Sequence, residues 1–352
     1  MAGKKVRIGF VGVGGMGQCA HLRNYASESG CEVVALAELR EPIARRVAAK
    51  YNVPKIYSDA AAMLKAEKLD GIVASQPFSR HGILIPDLLK ANTPIFIEKP
   101  LSSTLESAKT VLKALKKSKT WIMVGYHKRS DPASMYAKAE VDKLKASGEL
   151  GKMRYVRILM PAGDWIANGF FDLVRDDEPM PKLTVEPPPT DMDENGFKEF
   201  KSFVNYYIHQ VNLMRFFLGE SYKAKYVDKA GVLLVGESDS GITCTIEMTP
   251  YQTTVDWQES VLVAFERGWV KVELPAPVAV NRPGRVEIYR DPGKGVTPML
   301  SSPQLPWDHA MRMQARNFIA AIRGERKPPC DAFEAIEDLK VARDYLRLRF
   351  NK

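Results

Sequence analysis

In the first part of the chain, short runs of apolar residues alternate with stretches in which apolar residues recur every three or four positions. Short apolar runs indicate buried strands, and the longer spacing indicates amphipathic helices. Strands that alternate with helices are typical of a parallel, doubly wound sheet with right-handed crossovers. The predicted strands are 6–11, 32–37, 71–75, 94–97 and 121–126, and the predicted helices are 16–29, 42–51, 60–66, 81–91 and 104–118.

The pattern changes after Arg129, where longer strand-like runs begin. Neighbouring runs are joined by short turns such as Arg267–Gly268, as antiparallel strands are. The predicted strands of this part are 153–160, 222–235, 241–248, 259–267, 269–274 and 285–289, and its predicted helices are 133–147, 308–323 and 331–348.

A chain of 352 residues is longer than the length at which proteins usually form a single hydrophobic core, so two domains are expected. The expected fold class is α/β. A doubly wound parallel sheet occupies 1–127, and an α+β domain with an open, mostly antiparallel sheet occupies 128–352. The helices that close the chain are free to pack back on the first domain.

A proline-rich, acidic segment at 172–194 interrupts the second part. It is too polar and too broken by prolines for regular structure, so we interpret it as a solvated surface excursion. A lid over the substrate is the alternative.

Composition is that of an ordinary globular protein, 45% hydrophobic and 26% charged. The net charge of +9 comes from lysines and arginines spread along the chain, so no nucleic-acid partner is expected. A solvated helix face is the expected role of the densest basic cluster, and attraction of anionic substrates or cofactor phosphates is the alternative. The cluster consists of Lys113, Lys116, Lys117 and Lys119.

No apolar run is long enough to span a membrane, and no separate apolar segment with a cleavage site follows the N-terminal MAGKK. We therefore expect a cytoplasmic protein with no membrane partner. The four cysteines lie far apart without a CxxC pair, so neither a metal site nor a disulfide framework is expected. They are Cys19, Cys31, Cys244 and Cys330.

Glycines of the form Gly12-x-Gly14-x-x-Gly17 follow the first predicted strand and open the first predicted helix. In a Rossmann domain the first glycine permits a tight turn, the second lets the backbone approach a pyrophosphate, and the third lets helix and strand pack closely. The helix N-terminus then presents unpaired N–H groups to the phosphates. This context predicts a dinucleotide-binding turn, which also includes Gly15 and Met16.

An acid, Glu38, ends the second predicted strand. A carboxylate at this point accepts hydrogen bonds from the ribose hydroxyls and repels a 2′-phosphate, which favours NAD over NADP. Arg40 keeps NADP open, because a guanidinium holds a 2′-phosphate well. A plain surface acid is the alternative for Glu38.

Two later strands end in residues suited to a ligand site, because ligands bind at the carboxyl ends of strands in an open α/β sheet. After strand 71–75 we expect the cofactor to be bordered by Ser75, Gln76, Pro77 and His81. Helix capping is the alternative role of His81. After strand 94–97 come Glu98, Lys99 and Pro100. A lysine directly after a buried strand needs a role or a partner, and Glu98 is the candidate partner.

Several motifs together resemble the glucose–fructose oxidoreductase / inositol dehydrogenase / MocA (Gfo/Idh/MocA) family. Four motifs occur in that family's order and spacing. They are GVGGMG, the run from Asp70 through Pro77 to His81, EKP, and VGYHKR at 124–129. SGELGKMRYVRI at 147–158 resembles the beginning of its second domain. The resemblance covers essentially the whole chain.

The resemblance implies an NAD(P)-dependent oxidoreductase that acts on a secondary alcohol of a sugar or cyclic polyol. It implies a Rossmann domain followed by a sheet domain that covers the nicotinamide, and a homo-oligomer, dimer or tetramer, formed through that sheet. An NAD-dependent glycoside hydrolase, working by transient ring-carbon oxidation, elimination and hydration, is the alternative. A non-catalytic sugar or nucleotide sensor is a third.

The resemblance also implies the catalytic residues. Lys99 would touch both the cofactor and the reacting hydroxyl. The family's D-x-x-x-H pattern corresponds to Asn205 and His209 here, and Asn212 stands where a later acid is usual. Residues 205 and 209 would share one face of one helix. An asparagine orients a ring or a substrate but contributes no charge, so we expect His209 to be a weaker base than in relatives.

Four further side chains are predicted to contact substrate. They are Tyr126, His127, Trp165 and Tyr206, of which His127 is also a candidate contact of the nicotinamide. For Trp165 the reason is that an aromatic face suits the apolar side of a sugar ring, and buried packing is its alternative role.

Overall fold

Six short strands form the core of the first half of the molecule in the computed structural model, which describes residues 4–175, 177–179 and 181–350. They are β1 (Val6–Val11), β2 (Cys31–Ala37), β3 (Ile56–Tyr57), β4 (Gly71–Ala74), β5 (Ile95–Glu98) and β6 (Ile122–Gly125). All pair in parallel, in the order β3-β2-β1-β4-β5-β6. This is the strand order of a doubly wound dinucleotide-binding sheet.

The helices of the chain agree with the expected alternation. A π-helical turn, Gly17–Leu22, precedes α1. The α-helices are α1 (Arg23–Ser27), α2 (Glu41–Tyr51), α3 (Ala60–Ala66), α4 (His81–Leu88), α5 (Leu105–Leu115), α6 (Pro132–Ser147), α7 (Glu194–Tyr206), α8 (Ile208–Leu218), α9 (Ala310–Ile322) and α10 (Ala332–Phe350). The sequence offers Ser103 or Thr104 as the cap of α5, and it is Thr104 that accepts a hydrogen bond from the Ser107 N–H. None of these helices is long and apolar enough to cross a membrane.

Eight strands form a second sheet. They are β7 (Met153–Ala162), β8 (Tyr222–Val227), β9 (Leu233–Ser238), β10 (Thr243–Gln252), β11 (Glu259–Phe265), β12 (Gly268–Leu274), β13 (Arg285–Arg290) and β14 (Met299–Ser301). Their order is β14-β13-β12-β11-β7-β10-β9-β8, antiparallel throughout except between β7 and β10. The predicted fold class, a parallel sheet followed by a mostly antiparallel one, is confirmed.

The chain divides into two compact units. The first unit runs up to Tyr126 and takes in Asn168–Phe197 and Met311–Ile336. The second unit comprises His127–Ala167, Lys198–Ala310 and the chain from Glu337 onward. Each is therefore assembled from segments that are distant in sequence.

Phe318 of α9 completes the aromatic core of the first unit. Its ring lies edge-on to Trp121 at 5.5 Å, to Phe96 at 5.9 Å and to Tyr25 at 6.4 Å between centroids. Such edge-to-face pairs add to the stabilisation from apolar burial.

One predicted strand is wrong in detail, and two short strands were not predicted. The single strand predicted over 222–235 is two strands, β8 and β9, because Asp228 builds a turn between them. Its carboxylate accepts hydrogen bonds from the N–H groups of Ala230 and Leu233, and Gly231 adopts φ +74°. The short strands β3 and β14 lack enough residues to show an alternating pattern.

The interpretation of 172–194 as a solvated excursion without regular structure agrees with most of its described residues, but one acidic residue departs from it. Glu186, within this segment, is only 5% exposed. Proline and acidic residues show no periodic pattern, but a single carboxylate becomes buried when backbone N–H groups donate hydrogen bonds to it.

We predict that Phe318→Ala destabilises the first unit by about 3–5 kcal/mol, because it leaves a cavity between three aromatic rings. The midpoint of urea-induced unfolding, followed by tryptophan fluorescence, measures the loss, and Trp121 is a local reporter. Phe333→Ala is the matched control, since Phe333 belongs to the same unit and is 46% exposed. Its effect should stay within about 0.5 kcal/mol. Equal losses in the two variants would contradict the core role of Phe318.

Candidate active site

The turn after β1 has the backbone geometry expected of a dinucleotide site. Gly12 adopts φ +89°, and a Cβ there would overlap the Gln76 side chain and lie 2.6 Å from the Ser75 carbonyl oxygen. A Cβ on Gly17 would lie 2.7 Å from the Gly12 carbonyl oxygen. A Cβ on Gly14, by contrast, would have no described atom within 4 Å. The turn thus needs Gly12 and Gly17 for its own packing. It leaves open space at Gly14, where a pyrophosphate fits.

Glu38, at the end of β2, is tied to this turn. Its Oε2 accepts a hydrogen bond from the Val13 N–H at 3.0 Å, and its Oε1 accepts one from Arg40 Nε at 3.1 Å. Because it is 8% exposed, Glu38 is not a solvated surface acid. The guanidinium of Arg40 is engaged by the same carboxylate.

The loop after β4 closes against the end of β1. The Ser75 N–H and the Gln76 side-chain amide both donate to the Val11 carbonyl oxygen, at 3.0 and 3.3 Å. Pro77 then leads into a 3₁₀ turn, Phe78–Arg80.

His81 is fully buried at the start of α4. Its Nδ1 lies 3.0 Å from the Pro100 carbonyl oxygen, and its Nε2 lies 3.3 Å from that of Gln76. Burial lowers the pKa of His81 despite these hydrogen bonds. The neutral ring therefore links the loops after β4 and β5, and the cofactor contact expected of it stays a prediction.

Glu98 and Lys99 stand at the end of β5. Glu98 Oε1 lies 2.5 Å from His21 Nε2, and Glu98 Oε2 accepts the Lys99 N–H at 3.1 Å. The Lys99–Pro100 peptide is cis. Burial alone would raise the pKa of Glu98, but the hydrogen bond and charge of His21 and the charge of Lys99 hold it below its usual range. Glu98 is thus an ionised group.

In the second unit, His209 lies near the start of α8 and packs against His127. The two imidazole rings meet edge to face with 4.5 Å between their centroids. The single helix expected here is interrupted at Tyr207, so Asn205 belongs to α7 and His209 to α8. The expectation that residues 205 and 209 share one face of one helix is therefore wrong. Tyr207 itself keeps right-handed helical dihedral angles. The break therefore needs no glycine or proline, and no residue in the sequence marks it.

Asn212, in the place of the family's later acid, lies in a buried polar network. Its Oδ1 accepts from Arg129 Nε at 2.5 Å, and its Nδ2 donates to Asp338 Oδ2 at 2.9 Å. Asp338 also pairs with Arg215 at 2.6 Å. Asn212 therefore joins α8 to α10 within the second unit.

The remaining predicted contacts differ in exposure. Tyr126 is buried at the end of β6 in the first unit, whereas Trp165 is partly exposed in the second. The ring of Tyr206 packs edge-on against Tyr207, and burial raises the pKa of Tyr206 although a hydrogen bond from Gly163 opposes it. Their contacts with substrate stay predictions.

Comparison with known proteins agrees with this geometry. Residues 6–126 match the family model of the Gfo/Idh/MocA oxidoreductases, an oxidoreductase family with an NAD-binding Rossmann fold. The inositol 2-dehydrogenase of Rhizobium meliloti (strain 1021) is 25% identical over 331 residues, which cover 90% of this chain and 88% of that protein. The scyllo-inositol 2-dehydrogenase (NAD(+)) of Bacillus subtilis (strain 168) is 30% identical over 154 residues, 44% of each chain.

Over its parallel-sheet region the chain matches the Gfo/Idh/MocA oxidoreductase family. Two solved structures share its fold. The myo-inositol 2-dehydrogenase from Lactobacillus plantarum has a TM-score of 0.68 at 19% identity, covering 99% of this chain and 98% of that one. An oxidoreductase from Agrobacterium radiobacter, in complex with NAD+, L-tartaric acid and magnesium, has a TM-score of 0.71 at 14% identity, covering 99% and 97%. At these identities the likeness shows the fold alone.

The second unit has a buried polar network that sequence reasoning missed. Lys128 forms an ion pair with Glu259, and both side chains are almost fully buried. The remaining hydrogen bonds to the Glu259 carboxylate come from Gln210 Nε2 at 2.7 Å and Trp257 Nε1 at 3.1 Å. Lys128 and Gln210 directly follow the two packed histidines in sequence. The sequence does indicate that Lys128 needs a partner, because Lys128, like Lys99, follows closely after a buried strand.

The described residues of 168–197, which we call the strap, pack on the first unit beside the glycine turn. The Phe170 ring lies 3.4 Å from the position of a Cβ on Gly15. The Gln18 side chain accepts from the Val174 N–H at 3.0 Å. Asp172 forms ion pairs with Arg23 and, at 2.8 Å, with Lys50. One end of the strap thus lies against the helix that the glycine turn opens.

Glu186 attaches the other end of the strap. Its carboxylate accepts from the Gly82 N–H at 2.5 Å, from Ser102 Oγ and the Ser103 N–H at 3.1 Å, and from the Ser103 hydroxyl. These donors lie at the N-terminal ends of α4 and α5, where helix dipoles favour negative charge. The strap therefore follows the carboxyl edge of β1, β4 and β5, which is where a Rossmann sheet binds its cofactor.

We predict that Glu186→Ala loosens the strap, because it leaves buried N–H donors without their acceptor. Each lost hydrogen bond to a charged group costs about 1.5–3 kcal/mol, so trypsin cleavage after the exposed Lys182 should speed up at least about tenfold. Mass spectrometry of a timed digest measures the rate. Glu178→Ala, at an exposed position of the strap, is the control. An unchanged cleavage rate in Glu186→Ala would show that this carboxylate does not hold the strap.

Proposed function

We propose that this protein is an NAD-dependent dehydrogenase that acts on a secondary hydroxyl of a sugar or cyclic polyol. The observation that carries the proposal is the position of the Glu98–Lys99 turn at the end of β5. This turn lies on the same edge of the parallel sheet as the glycine turn after β1, which has open space at Gly14. The names of the relatives, inositol dehydrogenases, support a cyclic polyol as the first substrate class to test.

The residues of the first unit fit a nicotinamide dinucleotide. The open space at Gly14 and the N–H groups of the π-helical turn suit the pyrophosphate. The buried Glu38 carboxylate suits the ribose hydroxyls, and its negative charge disfavours a 2′-phosphate. When bound, the nicotinamide accepts hydride from the substrate carbon.

Lys99 would donate a hydrogen bond to the reacting oxygen and stabilise the negative charge that develops there. The ionised Glu98 beside it favours the ammonium form of Lys99, which this role requires. His209 would take the proton of the hydroxyl during oxidation and return it during reduction. Asn205, which is exposed at the end of α7, supplies no charge to that histidine.

The second unit would supply the remaining substrate contacts. Tyr206 and the partly exposed Trp165 offer aromatic faces to a ring, and His127 packs on His209. A homo-oligomer formed through the antiparallel sheet stays a prediction.

The deciding experiment is a progress curve of NADH with NAD and a panel of inositols, free sugars and aryl glycosides. We expect stoichiometric NADH with an inositol or a free sugar, and a loss of about 10²–10³-fold in kcat for Lys99→Ala and for His209→Gln. Aglycone released over many turnovers without net NADH would overturn the dehydrogenase and establish the hydrolase. Full turnover in both variants would overturn the assigned roles.

We predict that Glu38→Gln shifts the cofactor preference towards NADP. Loss of the carboxylate weakens the ribose hydrogen bonds and removes the repulsion of a 2′-phosphate, so the ratio of the NADP Kd to the NAD Kd should fall at least about tenfold. Titration of both cofactors by calorimetry measures the ratio. Glu41→Gln, at a side chain 67% exposed in the first turn of α2, should leave it unchanged. A constant ratio in Glu38→Gln would show that another group sets the preference.

A further inference from the structure

His21 is a buried histidine for which the proposed mechanism has no use. It lies in the π-helical turn that the third glycine opens, and it is only 2% exposed. Its ring packs edge-on against Phe96 of β5, with 5.0 Å between the centroids. π-Helical turns are rare and are frequently found at functional sites. Such burial excludes His21 from direct contact with a polyol.

The carboxylate of Glu98 connects His21 to Lys99. One oxygen lies 2.5 Å from His21 Nε2, and the other accepts the backbone N–H of Lys99 at 3.1 Å. The Glu98 side chain is 12% exposed. A carboxylate this deeply buried needs charged or hydrogen-bonding partners on both oxygens to remain ionised. His21 is the partner on the side away from Lys99.

The position of that carboxylate matters for Lys99 in two ways. It fixes the backbone from which the long lysine side chain extends, and it places a negative charge close to the ammonium group. Without His21, one oxygen of Glu98 would lose its partner, and the carboxylate would no longer hold the Lys99 backbone and its neighbouring charge in a fixed place. A displacement of about 1 Å in a catalytic group costs on the order of 10²-fold in rate.

We propose that His21 is a positioning residue for Lys99, acting through the Glu98 carboxylate. His21 thereby joins the helix behind the phosphate turn to the lysine turn of β5. The proposal deepens the proposed function and rests on the role of Lys99 in it.

The test compares two substitutions of His21. His21→Leu removes the hydrogen bond to Glu98, and we expect kcat to fall about 10–100-fold, with the polyol KM and the NAD Kd within about threefold of the unchanged enzyme. His21→Gln keeps an N–H donor at about the position of Nε2, so kcat should recover to within about fivefold. A KM or Kd effect as large as the kcat effect would assign His21 to ligand binding instead.

A double-mutant cycle with Lys99→Ala decides whether the effect passes through the lysine. If it does, His21→Leu costs nothing further in the Lys99→Ala background. Equal losses in both backgrounds would overturn the proposal. Wild-type kcat in Lys99→Ala would instead contradict the proposed function, so the two failures are distinguishable.

Asn24→Ala is the control for general structural damage near His21. Asn24 is buried just beyond His21 in α1, and its side chain donates to the Ala20 carbonyl oxygen at 2.7 Å. This variant should lose thermal stability while keeping kcat. If His21→Leu fails to fold, Glu98→Gln replaces it, since that variant keeps the side-chain volume, and the same kcat loss and the same cycle are expected. Unchanged kcat in Glu98→Gln would overturn the proposal.

Discussion

The carboxyl edge of the parallel sheet depends on one constraint: a carboxylate removed from water must find N–H donors. Glu38, Glu98 and Glu186 are buried or nearly buried along this edge, and each is held by donors from a different part of the first unit. Glu38 holds the glycine turn, Glu98 the lysine turn, and Glu186 the strap. Because a buried charge without partners costs several kcal/mol, these three contacts fix the loops that the cofactor would meet.

The sequence pattern was sufficient to predict those parts of the fold that depend on interactions between residues close together in the chain. The alternation of strands and helices, the glycine turn and the Thr104 cap all depend on residues within a few positions of each other. Pattern failed where distant residues decide. The pairing of His21 with Glu98 and the burial of Glu186 join segments far apart in sequence. Nothing in the periodicity of either segment indicates its partner.

The second unit shows the same limit at shorter range. A tight turn at Asp228 divides what looks like one long strand, and a break at Tyr207 divides what looks like one helix. Both depend on single backbone positions inside strongly patterned runs. A lysine behind a buried strand needs a partner, and for Lys128 that partner, Glu259, lies far along the chain. At Lys99 the Glu98 carboxylate accepts the backbone N–H.

The aromatic core around Phe318 has a consequence for how the protein is made. Trp121, Phe96 and Tyr25 leave the ribosome long before Phe318, which lies near the C-terminus. At translation rates of about 5–20 residues per second, that delay is on the order of ten seconds or more. During synthesis the nascent sheet therefore carries an uncovered aromatic surface until Phe318 has been translated and can pack against it.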